Sequence, residues 1–265
     1  MQSSPPLNGN RTGPTSDRPH PRALGEERPR ALRIGFGVTL FIGLSKHLAV
    51  VPALQSLVGL AAAAVQLFVP LREADRSPLG DDGIGYRLDG IGRELFWVLT
   101  IFLLTALPFW FLHEFWWAWM QGRPPGQSAL AIPVGDLSTW LQSAAWLGTS
   151  NPALDLVELM LIHFLAVALP EELFYRGYLQ PRLCSSFRDH RLAWGFRWNH
   201  GIALTAALFA LAHFLGEYNP ARFGPFFPAL LFGLLRRRSG SIGGAVLLHG
   251  MYNLLGALLF AGMME

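Results

Sequence analysis

At 265 residues, 51% hydrophobic and only 15% charged, with nine Trp and nineteen Phe, the chain carries more apolar surface than one soluble core of this length uses. Its net charge is +3, and all but one of its 21 basic residues are Arg, with no basic stretch interleaved with aromatics as in a soluble nucleic-acid-binding domain. A single soluble globular domain and a nucleic-acid partner are therefore excluded, and the one cysteine, Cys184, excludes an intramolecular disulfide.

Residues 1–30 are rich in Pro, Arg, Ser and Gly and hold no apolar run, which fits a disordered tail better than a cleavable signal peptide. From there on the chain, 31–265, reads as one transmembrane domain. Apolar windows at 34–51, 53–71, 95–120, 153–183, 201–216, 223–235 and 242–263 approach the roughly 20 residues a helix needs to cross about 30 Å of hydrocarbon. The expected fold is all-α, a polytopic bundle of about seven to eight helices. The window 223–235 is short and interrupted by Pro225 and Pro228, and 137–149 either lies in the interface or adds a span. The 72–93 loop is Gly-rich and mixed in charge, a connection and not a second domain.

Arginines alternate between the connections. The tail carries Arg11, Arg18, Arg22, Arg28, Arg30 and Arg33, and Arg also concentrates in 72–93, 182–198 and at Arg236-Arg237-Arg238. The remaining connections are nearly free of Arg. Arg-rich loops stay in the cytoplasm, so the N-terminus is expected there, with an odd number of spans. The preference for Arg over Lys and the abundance of Ala and Gly suggest a GC-rich bacterial genome and hence a bacterial inner membrane.

Ionisable groups at membrane depth are expensive unless they pair or face a watery cavity. Three clusters of them stand out: Pro170-Glu171-Glu172-Leu173-Phe174-Tyr175-Arg176-Gly177, Phe209-Ala210-Leu211-Ala212-His213, and His249-Gly250-Met251-Tyr252-Asn253. Glu172 and Arg176 stand four apart, so they share a helix face and can pair; His249 and Asn253 share one too, and Phe209 falls on the His213 side. At 1.5 Å per residue, Glu171 lies about 16 Å from Arg182, His213 about 24 Å from Arg197, and His249 about 16 Å from Arg238, compatible with one buried cluster.

Such a cluster can do chemistry. Arg176 holds its partner Glu172 ionised, which leaves Glu171 to take a proton from water, with His213 positioning that water. His249 and Asn253 can then donate hydrogen bonds to the oxyanion of a peptide carbonyl under attack.

The ordered trio resembles the motifs of the CAAX prenyl protease and bacteriocin-processing (CPBP) family of intramembrane peptidases, also called the abortive-infection family. That family shows Glu-Glu-x-x-x-Arg, Phe-x-x-x-His and His-x-x-x-Asn or Asp on successive membrane helices. The resemblance covers residues 170–253 and implies an intramembrane cavity, a glutamate-activated water and no covalent nucleophile. It also implies a peptide or the C-terminal segment of a membrane-associated protein as substrate. Eukaryotic members trim prenylated proteins, whereas bacterial members are linked with bacteriocin immunity, peptide maturation and C-terminal sorting signals; a bacterial source favours the latter.

Other readings remain open at this point. A metal-free site needs no cofactor, whereas the zinc reading of the family would use Glu171, His213 and His249 as ligands. The His-Glu-x-x-His signature is absent, since Trp117 stands where the second His belongs after His113-Glu114, and no Gly-x-Ser-x-Gly elbow occurs. The same residues could serve a non-catalytic immunity factor or scaffold that binds a peptide in the cavity, or a proton-coupled transporter. Against transport, no pair of matching broken helices occurs in the two halves of the chain. His113-Glu114 fits an interfacial aromatic belt, Asp155 and Glu158 the outer interface, and Arg236-Arg237-Arg238 a helix end anchored at the surface or touching anionic lipid. Glu217 is a candidate to orient His213.

Overall fold

The computed structural model of the protein describes residues 21–74, 76, 84–85, 90–120 and 151–263. Among these residues seven long helical segments follow one another: α1 (Pro21–Ser45), α2 (Pro52–Ala74), α3 (Ile91–Met120), α4 (Pro152–Cys184), α5 (His200–Leu215), α6 (Phe226–Ser239) and α7 (Gly243–Met263). Between α4 and α5 stands a small hairpin of β1 (His190–Arg191) and β2 (Arg197–Trp198), antiparallel, with His190 opposite Trp198. The all-helical membrane bundle expected from the apolar windows is the fold. Among the described residues four stretches are long and apolar enough to cross a membrane: Glu27–Val50, Ala53–Ala74, Ile91–Leu112 and Pro152–Cys184. The window 137–149 lies outside the described residues.

Local sequence explains where the helices begin and end. Asn151 and Asn199 each accept a hydrogen bond from the backbone N–H two residues on, at 3.0 Å, and so cap α4 and α5, with Pro152 at the first position of α4. The prolines expected to interrupt the sixth window instead open it. Pro225 sits at the cap of α6 and Pro228 in its first turn, where a missing N–H costs nothing, and the helix runs 14 residues to Ser239. It stops at Gly240, whose left-handed φ of 78° suits glycine. The first turn of α7 is capped from outside by Glu94 on α3, whose Oε1 accepts from Gly244 N at 2.9 Å.

One expectation is corrected at the arginine-rich end. Residues 21–30, read as the end of a tail, belong to α1, because their charges dock there: Arg30 pairs with Glu73 at 2.8 Å and Glu27 lies 3.3 Å from Arg182. Asp155 lies in the first turn of α4, at its other end, and is buried there against the protein. The core forms in two main parts: α1, α4 and α5 enclose one around Phe174, Tyr178 and Phe209, while α3, α6 and α7 enclose the other around Val98, Phe232 and Leu248. The second half of α4, with its two glutamates, lies between them.

Candidate active site

The site is built on α4, which is not a uniform α-helix. At Leu161–Ala168 and Leu173–Leu179 the backbone widens into π turns, with the amide of Leu169 reaching Phe164 O and that of Gln180 reaching Tyr175 O, five residues back. The glutamates fall on the short α segment between them, Leu169–Glu172. Widened turns of this kind concentrate where a side chain must be re-aimed for function.

Glu171 and Glu172, adjacent in the chain, point into different surroundings. Glu172 has no exposed side-chain surface, and its Oε1 receives two hydrogen bonds: Arg176 NH1 at 2.9 Å and His249 Nδ1 at 2.9 Å. Arg176, equally buried, donates its other terminal nitrogen to Ala229 O on α6 at 3.0 Å and lies against the faces of Phe209 and Phe232, 4.8 and 5.2 Å from their centroids. Glu171 keeps 18% of its side chain open, and its Oε2 lies 3.8 Å from His249 Nε2 with no hydrogen-bond partner among the described residues.

His249 thus stands between the two carboxylates. Phe232 stacks on one face of its ring at 5.0 Å and the edge of Phe209 meets it at 5.6 Å, so its plane is fixed by packing as well as by Glu172. Its helix approaches α4 closely because residue 250 is glycine: any Cβ there would run into the ring of Phe164. With Nδ1 spent on Glu172, His249 offers a substrate only Nε2.

His213 on α5 is brought to the same place by Phe209, whose ring lies between the two histidines, 4.7 Å from that of His213. Its Nδ1 bonds the Phe209 carbonyl at 3.0 Å. A ring nitrogen facing a carbonyl is a donor, so in the neutral ring Nε2 is an acceptor. Glu217 does not orient it. That carboxylate turns outward to Arg222, whose Nε donates at 2.6 Å and whose terminal nitrogen makes the second arm of the fork. This bond holds the Glu217 carboxyl below the usual carboxylate range. Asn253 is half-buried one turn past His249 on α7, with no side-chain hydrogen bond drawn to it among the described residues.

The arginine triplet faces inward more than outward: Arg236 donates from Nε to Arg176 O at 3.1 Å, Arg237 pairs with Asp189 at 2.6 Å, and Arg238 lies over the rings of Trp97 and Phe196. His113 and Glu114 fall within α3, but their side chains lie outside the described residues. Three residues near the site carry no motif. His163, on the first π segment, is within electrostatic reach of His249; Phe232 clamps His249; and Gln180, two turns beyond Glu172, donates to Gly233 O at 2.9 Å. The spacing of Gln180 from Arg176, four residues, was the one signal in the sequence that pointed to any of them.

Among the described residues no three His, Cys, Asp or Glu side chains are grouped so as to hold a metal ion; His213 Nδ1 faces the Phe209 carbonyl and His249 Nδ1 faces Glu172 Oε1.

Residues 153–255 match the family described as type II CAAX prenyl endopeptidase Rce1-like. This segment is similar to an Rce1-like domain. It takes in all three motifs, from Glu171 through Asn253, and every side chain of the buried cluster. The family is one of CAAX-protease-like intramembrane endopeptidases, which makes the Rce1-like segment, with the long apolar helices around it, part of an integral membrane protein of protease type. No curated protein and no solved structure matches the chain.

Proposed function

We propose that the protein is an intramembrane endopeptidase of glutamic type, acting without a metal on a peptide or the C-terminal segment of a membrane-associated protein. The observation that carries this is the inequality of Glu171 and Glu172: one is fully buried with both Arg176 and His249 bonded to its Oε1, the other is 18% exposed and bonded to neither, its Oε2 3.8 Å from His249 Nε2. A purely structural pair would need no second carboxylate at that depth. With His249 as imidazolium the cluster holds two negative and two positive charges, which resolves the surplus that one Arg leaves.

In this reading Glu171 takes a proton from a water that also donates to His213 Nε2, and the water oxygen attacks the carbonyl carbon. The resulting oxyanion accepts hydrogen bonds from His249 Nε2–H and the Asn253 amide. Glu171 then passes its proton to the amide nitrogen as the C–N bond breaks, which restores the carboxylate. Glu172 and Arg176 do not touch the substrate; they fix the ring of His249 and balance its charge. A bacterial inner membrane, a cytoplasmic N-terminus, and peptide maturation or sorting-signal processing are the setting this reading takes, on the strength of the Arg pattern and composition.

The test compares membranes from cells producing the wild-type chain or Glu171→Gln, by mass spectrometry of protein termini. New termini present only with wild type are expected, because loss of a general base lowers hydrolysis about 10²–10⁴-fold. Identical termini from both, with the variant folded, would sink the glutamate mechanism and leave a scaffold that merely binds peptide. Stoichiometric zinc in active purified protein would replace the metal-free mechanism.

A further inference from the structure

Along one face of α4, Glu172, Arg176 and Gln180 recur every four residues, and each is at least 98% buried. Opposite them on α6 stand Ala229 and Gly233, also four apart, whose carbonyls accept from Arg176 and Gln180 at 3.0 and 2.9 Å. After these bonds are made, each of the three side chains retains one buried atom with no partner among the described residues: Glu172 Oε2, Arg176 Nε and Gln180 Oε1. Their characters alternate as acceptor, donor, acceptor.

From this ladder we infer that a short file of bound water lies between α4 and α6, held by Glu172 Oε2, Arg176 Nε–H and Gln180 Oε1. A buried polar atom left unpaired costs about 1–3 kcal/mol, and internal water with two to four polar partners is the usual remedy. One water accepts from Arg176 Nε–H and donates to Glu172 Oε2; a second donates to Gln180 Oε1 and to the first, so every atom is satisfied. Residue 233 is glycine where the file ends, and a Cβ there would come within 2.9 Å of Gln180 Oε1 and 2.7 Å of Ile202 Cγ2.

The file runs toward the arginine-rich end, where Arg236 bonds the Arg176 carbonyl. Hydrolysis consumes one water per bond cleaved. Resting on the peptidase reading above, the file is a store of bound water beside the glutamates; the bound water itself does not depend on that reading.

The experiment is X-ray radiolytic footprinting of the full-length purified protein in H₂¹⁸O, read by mass spectrometry, in which radicals formed from bound water mark side chains that bulk solvent cannot reach. Phe232 and Ile202, each 1% exposed and adjacent to the file, should be labelled several-fold more, after division by each side chain's intrinsic radical reactivity, than Leu159, which is 2% exposed and packs in another cluster. Gln180→Leu should bring both down to the Leu159 level. Labelling of Phe232 and Ile202 no higher than that of Leu159 in the wild type overturns the inference, whether or not the variant folds. So does labelling that is unchanged in a folded Gln180→Leu protein. The same measurement on Glu171→Gln should match wild type whatever that substitution does to hydrolysis, so the two readings fail separately.

Discussion

Replacing Arg176 by Ala leaves Glu172 buried without its guanidinium partner, a situation that costs about 3–5 kcal/mol when one half of an enclosed ion pair is removed. Denaturation of the variant in detergent should show a loss of that order; a loss below about 1 kcal/mol, the range of exposed pairs, would mean the pair is solvated in the real membrane. Glu217 makes the contrasting case. Its carboxyl is held below the ordinary range by the Arg222 hydrogen bond, so folding gains stability from it above the unfolded carboxylate pKa of about 4.3 and loses that gain as pH falls through the lowered folded value. Glu217→Gln should therefore melt below wild type at neutral pH and together with it in acid. A gap that persists at low pH would show that Arg222 is not the cause. Both partners are more than a third exposed, so the gap should be small.

At the level of elements, the approach of α7 to α4 decides where His249 sits. Gly250→Leu forces a side chain into the Phe164 ring, which at the usual cost of overpacking removes about 1–3 kcal/mol and moves His249 away from Glu172. Hydrolysis should fall more than stability does, and activity that survives with a normal melting temperature would show that α7 can shift without harm to the site. The glycine was visible in the sequence, but its reason was not, since the partner ring comes from a π segment that no periodicity announces. The same holds for the glutamates. The pairing of Glu172 with Arg176 was legible from a spacing of four, which survives on a helix of either width, and so was the stacking of Phe209 on His213. That Glu172 would also hold His249 was not legible, because contacts between α4 and α7 depend on how the widened turns rotate the face of α4. Glu217 misled for a related reason: four residues past His213 it lies beyond the last turn of α5, at Leu215, where helical spacing no longer applies. Phe232 looked like any aromatic in an apolar run, and Gln180 stood out only by its spacing of four from Arg176.

For the whole molecule, the contacts place the helix ends at two levels. The start of α1, the ends of α2, α4 and α6, and the starts of α5 and α7 meet around Arg30–Glu73, Arg182–Glu27, Arg237–Asp189 and the cap of Gly244 by Glu94. At the other level the end of α1 meets the end of α5, where His47 bonds the Leu215 carbonyl at 2.7 Å and stacks on Tyr218. The Arg-rich level carries Arg188, Arg191, Arg197 and the triplet, the other only Lys46 and Arg222 near these ends, and the proposed cytoplasmic placement of the former rests on that asymmetry. α5 is the weakest link in that argument, since its 16 residues span only about 24 Å against about 30 Å of hydrocarbon. It can be tested with single cysteines, because Cys184 is 1% exposed and silent toward a membrane-impermeant maleimide. Arg188→Cys should react only in inverted vesicles and Tyr218→Cys only in right-side-out ones. If both react from the same face, α5 does not cross, His213 lies near a surface instead of at depth, and the water it positions would come from bulk solvent.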